Sequence, residues 1–282
     1  MRPGKNVKNK PSWRTLVALL LWWSASPAAG QTVPEAPADS CRATRASSPA
    51  ALSVPAQRPV SWKLLIPNVV RDQKPVWLFP VKVARGEHLK PTLGFVFATA
   101  GLVALDPHDT PYFRRTSSFN DFNSVMSARK TSLGIHVFPL AFYALGLSRK
   151  DSYAQQTGLL ATQALADAQI LTLAMKSVDR RLRPRSIPPD GDFSHTWFKA
   201  SGPVINKRSS FPSGHAMTAF AVATVFAQRY RHRRWVPWVA YGLAGVIGFS
   251  RITRQDHFPS DVFAGAVLGF SLSNYVVLCR PQ

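Results

Sequence analysis

The residue types best suited to chemistry lie close together at 250–261, between two apolar runs. This segment holds an arginine, a histidine and an aspartate, at Arg251, His257 and Asp261. His257 and Asp261 are four residues apart, so on a helix they would share one face. A carboxylate against one imidazole nitrogen fixes the tautomer and leaves the other nitrogen free to react, and the guanidinium offers a planar fork of donors for phosphate oxygens. The segment predicts a nucleophile, its orienting carboxylate and an anion-binding arginine; chance charges at a solvated helix start are the alternative.

A second stretch, Pro212-Ser213-Gly214-His215, predicts an anion site at the start of a helix. It opens a long apolar run. Proline and serine favour a helix start, and glycine lets the backbone approach a ligand closely. The unpaired N–H groups of Ser213 and Gly214, at the positive end of the helix dipole, would bind the anion. His215 stands beside them and is placed to act as a general acid.

A third stretch adds positive charge upstream. Lys176 ends an apolar run, and Arg183 follows seven residues later, which is two helical turns and therefore one face. Arg180 and Arg181 lie between them. We expect these two at the surface or at lipid headgroups, with Asp179 paired to one of them.

Together the three stretches resemble the signature of the superfamily of type 2 phosphatidic acid phosphatases, bacterial non-specific acid phosphatases and vanadium haloperoxidases. That signature consists of Lys, six residues and Arg-Pro; then Pro-Ser-Gly-His; then Ser-Arg, five residues, His, three residues and Asp. The chain matches every position in family order, at 176–184, 212–215 and 250–261. The resemblance covers about residues 89–278 and implies a helical core with the site at one end.

The resemblance also implies a reaction, the hydrolysis of phosphomonoesters or pyrophosphates through a phosphohistidine. His257 would attack phosphorus while Asp261 holds its ring, and His215 would protonate the leaving oxygen and then activate water. The phosphoryl oxygens would be bound by the other predicted site residues, which are Lys176, Arg183, Arg251 and the backbone of Ser213 and Gly214. Because these fixed cations do what magnesium does elsewhere, we expect no metal or other cofactor.

Two further histidines carry predictions of their own. His136 lies in an apolar run, which is typical of a packed, hydrogen-bonded core histidine. His195 lies between the first two motifs, beside Trp197 and Phe198. It either lines the pocket or belongs to a surface loop.

The predicted fold class is all-α, because no sustained alternating pattern of a strand occurs. Six helical segments would form a six-helix bundle with the site at one end. They lie at about 90–105, 131–147, 152–176, 214–231, 236–251 and 259–278. These segments belong to a phosphatase domain at 89–282.

Three segments precede that domain. Residues 1–30 have the basic start, short apolar core and small-residue end of a signal peptide, with an uncleaved anchor as the alternative. Residues 31–61, rich in Pro, Ala and Ser, are predicted to be a disordered linker. Residues 62–88 mix apolar and basic types and would form a packed arm before the domain, or an amphipathic segment on a membrane surface.

Charge and cysteine content bound the partners. The formal net charge of +21 favours anionic partners such as phosphate esters and anionic lipid surfaces. No recognised nucleic-acid motif occurs, so nucleic acid is not expected. Cys41 and Cys279 are too few for a disulfide-rich scaffold, and no close Cys/His spacing predicts a metal cluster. The two cysteines could pair in an oxidising compartment.

Helix length and charge placement disagree about the membrane. Only the second and sixth predicted helices are apolar for about 18 residues, near the lower limit for a span. The basic turns at 149–150 and 229–234 fall on the side opposite the motifs, which puts the site outside the cytoplasm. A cleaved signal peptide conflicts in parity with six spans. The sequence therefore favours an exported domain resting on a membrane surface over a polytopic protein, with the site at the periplasmic or extracytoplasmic face.

The favoured function is a phosphoric ester hydrolase acting on lipid phosphates or polyprenyl pyrophosphates. A soluble, broad-specificity acid phosphatase with the same site is the first alternative. A vanadate-dependent haloperoxidase is the second, although the chain is short for that group. Substrate choice would reside in the loops at 108–130 and 185–210, because the motifs define the phosphoryl site and not the leaving group. The sequence carries no prediction of oligomeric state.

Overall fold

The computed structural model describes residues 59–201 and 209–278, and every regular element within these ranges is helical. The α-helices are α1 (Trp62–Ala84), α2 (Leu89–Arg115), α3 (Asn120–Val125), α4 (Ala128–Ser148), α5 (Ser152–Asp179), α6 (Gly214–Arg229), α7 (Trp235–Thr253) and α8 (Pro259–Leu272). A 3₁₀ turn at Pro184–Ser186 follows α5, and a π-helical turn at Ser273–Val277 follows α8. The predicted all-α class is confirmed. The signal peptide at 1–30, almost all of the linker at 31–61 and both cysteines lie outside the described residues and stay predictions.

Each of the six predicted helices coincides with an observed helix, but the described residues contain eight. The additions are α1, which fills the arm predicted at 62–88, and the short α3, which lies in the loop predicted at 108–130. In addition, α2 continues past its predicted end at residue 105, through Pro107 and Pro111, to Arg115. Proline removes one helical hydrogen bond and so predicts a break. Contacts with neighbouring helices hold α1 and α2 helical in spite of it.

For α1, these contacts are polar and join it to α5. Gln73 Nε2 donates to Asp167 Oδ1 at 2.8 Å, and Gln163 Nε2 of α5 donates to Asp72 Oδ2. Asp72, Gln163 and Asp167 are all buried. The helix therefore turns Asp72 and Gln73 inward, although it contains three prolines.

The central helix is α6, which packs against α5, α7 and α8. Its contact with α8 is made backbone to backbone. A Cβ atom added at Gly269 would lie 2.1 Å from the carbonyl oxygen of Met217, and one at Gly265 would lie 2.6 Å from that of Ser213. Such close approach is possible only where glycine removes the side chain. The first turns of α6 and α8, which carry two of the three motifs, are thereby held side by side.

The outer faces of the bundle are apolar. Ile66 of α1, Phe97 of α2 and Trp238 of α7 are 74%, 72% and 82% exposed. Small side chains and polar groups fill much of the interior, including Asp106 and Gln163, which are fully buried. This is the reverse of the distribution in water, where exposed apolar surface is normally scattered.

Four helical segments are long and apolar enough to cross a membrane: Leu89–Arg115, Ala128–Ser148, Ser152–Ser186 and Pro259–Val277. The sequence predicted only two persuasive spans. The predicted number of spans was wrong because Asp106 and Asp167 interrupt the apolar runs in the sequence. In the structure both carboxylates face the interior, where Arg181 and Gln73 respectively bind them.

Candidate active site

A cavity of about 110 Å³ lies where the last turn of α5 meets the first turn of α6 and the loop before α8. The predicted site residues that line it are Lys176, Arg183, Gly214, His215 and His257. Lys176 is buried, and its Nζ donates to the carbonyl oxygen of Ser209 at 2.6 Å. Five residues from three distant stretches of sequence therefore meet in one cavity. Asp261, Ser213 and Arg251 lie behind its wall.

His257 is held with one ring nitrogen turned inward. Its Nδ1 lies 2.6 Å from the carbonyl oxygen of Ser210 and 3.7 Å from Asp261 Oδ2. A carbonyl oxygen only accepts, so Nδ1 carries the proton in the neutral ring and Nε2 keeps its lone pair. His257 is 3% exposed; burial, with the charges of Lys176 and Arg183 adding to it, lowers the pKa of His257 to about 3 in spite of Asp261. The ring is therefore a neutral nucleophile near pH 7.

Asp261 was predicted to hold the His257 ring directly, but it acts together with Ser210. Its Oδ2 accepts from the Ser210 hydroxyl at 2.5 Å and from the N–H of Phe258 at 2.8 Å. The backbone carbonyl of Ser210 makes the short contact to His257. Sequence reasoning missed Ser210 because its contact with His257 is made by a backbone oxygen, which any residue type supplies, and its hydroxyl meets Asp261 only through the fold.

His215 has the opposite arrangement of ring nitrogens. Its Nε2 lies 3.1 Å from the carbonyl oxygen of Ala128 on α4, so Nε2 carries the proton and Nδ1 is the acceptor in the neutral ring. Burial and the charge of Arg251 lower the pKa of His215 to about 4. A phosphoryl anion beside the ring would raise that pKa. His215 is thus a base without an anion and becomes an acid when one binds.

The first turn of α6 differs from its prediction in one donor. Ser213 caps the helix, and its N–H donates to the backbone carbonyl oxygen of Asp261 at 2.9 Å. That N–H is engaged within the protein. Gly214 lines the cavity, and its N–H has no intrahelical acceptor because of its position in the first turn. A Cβ atom at Gly214 would lie 3.1 Å from Thr172 Cγ2 of α5, so glycine also lets the two helices close on the site.

Arg251 is fully buried and is not among the residues lining the cavity. Its guanidinium donates to the carbonyl oxygen of Met126 and to Ser250 Oγ, while Nη1 lies 3.5 Å from Asp256 Oδ2. Asp256 does line the cavity, and it also pairs with Arg185 at the rim. Burial alone would raise the pKa of Asp256, but Arg185, His257 and the other nearby arginines lower it. The direct role of Arg251 on phosphate stays a prediction.

His136 and Gln169 are among the cavity residues that were absent from the predicted site. His136 of α4 has Nδ1 2.7 Å from the carbonyl oxygen of Ser132, and its Nε2 lies 3.2 Å from Gln169 Nε2 of α5. It is hydrogen-bonded, as predicted for a core histidine, but both His136 and Gln169 line the cavity. His195 is exposed in its loop and is not a lining residue. Of its two alternatives, the surface loop holds.

Arg181 was predicted at the surface, and this prediction was wrong. It is 1% exposed, and its guanidinium lies 2.6 Å from Asp261. The reason is local: Arg180, at the end of α5, adopts the left-handed conformation with φ 43°, which turns the next residue inward. Asp179 accepts from the backbone N–H of Arg181 at 3.2 Å, and within residues 59–201 and 209–278 no arginine side chain pairs with it. A hydrophilic residue beside a motif gave no signal of this burial.

Comparison with known proteins gives a match to the PAP2 superfamily over residues 157–282. The chain is 40% identical over 80 residues to lipid A 1-phosphatase of Porphyromonas gingivalis, covering 28% of this chain and 17% of that protein. It is 31% identical over 124 residues to phosphatidylglycerophosphatase B of Bacillus subtilis, covering 41% and 54%. Undecaprenyl-diphosphatase BcrC of the same species is 38% identical over 77 residues, covering 26% and 38%. The chain thus spans about half or less of the length of these relatives.

Proposed function

Because residues 157–282 match the PAP2 superfamily, we propose that this chain is a metal-independent lipid phosphatase. It hydrolyses phosphomonoesters or pyrophosphates through a phosphohistidine at His257. The observation that carries the proposal is the protonation state of His257. Its Nδ1 is held by the carbonyl oxygen of Ser210, so Nε2 carries no proton, and the residue lines a cavity together with Lys176 and Arg183. A nucleophile among fixed cations suits transfer of a phosphoryl group.

In the first half-reaction, His257 Nε2 attacks phosphorus and forms a P–N bond. The P–O bond to the leaving group breaks, and the leaving oxygen takes a proton from His215. Lys176, Arg183 and the Gly214 N–H neutralise the phosphoryl oxygens as their charge develops. Asp261, behind the ring, stabilises the cation that forms on His257.

In the second half-reaction, water attacks the phosphorus of the phosphohistidine. His215, now neutral, accepts the water proton, and the P–N bond breaks. Phosphate leaves and His257 returns to its neutral form.

The substrate is proposed to be a lipid because of the surface around the site. Six helices, α2 and α4 to α8, form the catalytic bundle, with the cavity at one end and apolar side chains on the outer faces. Four apolar segments of spanning length support a protein embedded in a membrane rather than one resting on it. The lipid phosphatases among its relatives support the same substrate class.

The site is proposed to face the periplasm or another extracytoplasmic side. Arg149 and Lys150 follow α4, and Arg229 ends α6, so these charges lie at the end opposite the cavity. An excess of Lys and Arg marks the cytoplasmic end of spanning helices. That asymmetry supports an outward site.

The test is phosphate release by purified protein, with chelator present, from phosphatidic acid and a polyprenyl pyrophosphate in mixed micelles and from p-nitrophenyl phosphate in buffer. We expect turnover of the lipids, reduced about 10⁴-fold or more in His257→Ala. His195→Ala is the matched control, because that histidine is exposed in a loop and does not line the cavity. Equal turnover of the soluble ester would favour a broad-specificity acid phosphatase. No release from any substrate, with vanadate-dependent halide oxidation in its place, would overturn the proposal.

A further inference from the structure

We propose that Arg181 and Asp106 are positioning residues for this reaction, which hold Asp261 and, through it, His257 in the geometry of attack. The inference rests on the proposed phosphatase function. Arg181 falls between the matched positions of the first motif, and Asp106 lies on α2, outside the range that matches the superfamily. Neither residue was predicted to take part in the site.

Arg181 binds both carboxylates with separate nitrogens of one guanidinium. Its Nη1 donates to Asp261 Oδ1 at 2.6 Å, and its Nη2 donates to Asp106 Oδ2 at 2.7 Å. Because Oδ1 of Asp261 is held in this way, Oδ2 is the oxygen that faces His257. The fork geometry of arginine therefore fixes the rotation of the catalytic carboxylate.

The guanidinium is itself held on every side. It lies between two aromatic rings, 4.6 Å from the centroid of Trp197 and 4.1 Å from that of Phe258. Its Nε donates to Thr196 Oγ1 at 3.1 Å. Because the guanidinium has so little freedom to move, it fixes the orientation of the two carboxylates that it binds. An ion pair alone would not need these additional contacts.

Asp106 connects the cluster to α2 and to the start of α8. Its Oδ1 accepts from the N–H of Ser260 at 3.2 Å, and its Oδ2 accepts from the Ser260 hydroxyl at 2.5 Å. Ser260 Oγ also accepts from Arg181 Nη1 at 2.8 Å. The first turn of α8, which carries Asp261, is thereby fixed from two directions.

The charges of the cluster also favour the reaction. Arg181 with Asp261 alone would be a neutral pair. Asp106 shares the same arginine, so with both carboxylates ionised the buried cluster carries one net negative charge. Attack on phosphorus leaves a positive charge on the imidazole of His257, and a fixed negative cluster behind the ring stabilises that charge. Asp106 thus contributes to the step without touching substrate.

The experiment uses the full-length protein and two conservative variants, Asp106→Asn, which keeps size and removes charge, and Arg181→Lys, which keeps charge and loses the fork. With phosphatidic acid in mixed micelles, we expect kcat to fall about 10- to 100-fold in each, by analogy with the hydrogen-bond partners that orient metal-ligating side chains. KM and the inhibition constant of vanadate should stay within about two-fold, because the cavity wall is unchanged. A merely structural role would move these constants together.

Arg229→Met is the matched control. Arg229 is also largely enclosed, with Nε bonded to Thr157 Oγ1 and its guanidinium 3.9 Å from the ring of Tyr153, but it lies at the opposite end of the bundle. Its kcat should stay near that of the wild type. A kcat within two-fold of wild type in Asp106→Asn, or an equal loss in Arg229→Met, would overturn the inference.

A second readout separates this inference from the phosphatase proposal. Nitrogen-15 spectra of ring-labelled histidine, with His257 assigned from the His257→Asn variant, report its tautomer without any turnover. We expect the Nδ1-protonated form in the wild type and a shift toward a mixture of tautomers in Asp106→Asn and Arg181→Lys. An unchanged tautomer in both variants would refute positioning, whereas a wild type that releases no phosphate would refute the proposed function.

Discussion

At the scale of single residues, the chemistry of the cavity depends on which nitrogen of each histidine carries a proton. Ser210 fixes the proton of His257 on Nδ1, and Ala128 fixes that of His215 on Nε2. Both acceptors are backbone carbonyls, and at His257 the carboxylate of Asp261 lies 3.7 Å from the same nitrogen and supports the same tautomer. The low pKa of each ring then keeps both neutral until an anion arrives.

Binding of vanadate, a phosphate analogue, should therefore be accompanied by proton uptake. The anion raises the pKa of His215 from about 4 toward the working pH, so at pH 6 the complex holds a proton that the free protein does not. Titration calorimetry in buffers of different ionisation enthalpy measures this uptake. It should disappear in His215→Gln and persist in His195→Gln; equal uptake in both variants would contradict this assignment.

The histidines should also make stability depend on pH. The pKa of His257 is about 3 when folded and near 6.5 when unfolded, so between these values the unfolded chain binds a proton that the folded chain cannot. The contribution of His257 is complete above pH 6.5 and is lost as the pH falls toward 3. Thermal unfolding in detergent should show Tm falling from pH 7 to pH 5, and falling less in His257→Asn. A steeper fall in the variant would count against the buried, neutral ring.

At the scale of elements, the sequence predicted where the six main helices lie, but not where α2 ends or how the chain turns after α5. Pro107 predicted the end of α2, but the helix continues past it, because Asp106 and Thr110 are buried against the rest of the bundle. The inward turn of Arg181 follows from the left-handed Arg180, a conformation that residue type does not announce. The motif residues were predictable since their chemistry is in the side chain. Ser210, His136 and Arg181 were not, since their roles depend on tertiary placement.

Substitution of Gly269 should separate α6 from α8. Its added Cβ would lie 2.1 Å from the carbonyl oxygen of Met217, so Gly269→Ala should cost about 1–3 kcal/mol in the free energy of unfolding. Activity should fall with it, because both helices carry site residues. Gly242→Ala on α7 is the control: its Cβ meets nothing within 4 Å, and helix propensity should add about 0.5–1 kcal/mol. Equal effects at the two positions would contradict the close packing.

At the scale of the whole molecule, polar groups lie inside and apolar side chains outside. The buried carboxylates of α1, α2 and α5 find their partners in neighbouring helices. Helices arranged in this way are stable when lipid, not water, covers the outer faces. In the orientation proposed above, the end of the bundle that holds the cavity and the end that holds the basic turns would lie on different sides of the membrane.

Single cysteines should report this orientation. In a variant without Cys41 and Cys279, a cysteine in place of His195 should react with an impermeant maleimide in intact cells, because His195 is exposed at the cavity end. A cysteine in place of Arg149 should react only after lysis. The opposite labelling pattern would place the site in the cytoplasm and refute the proposed location.

The contact between α6 and α8 limits how this site can diversify. His215 lies on α6 and His257 lies two residues before α8, and the backbones of these helices are in contact at Gly265 and Gly269. No layer of side chains separates the two backbones there, so no larger or smaller side chain can adjust their spacing. Mutation therefore cannot retune the spacing of nucleophile and acid in small steps. The part of the wall contributed by α4 and by Arg185 carries no such restriction. New substrates would therefore arise through substitutions in that part of the wall, while the contact between α6 and α8 stays unchanged.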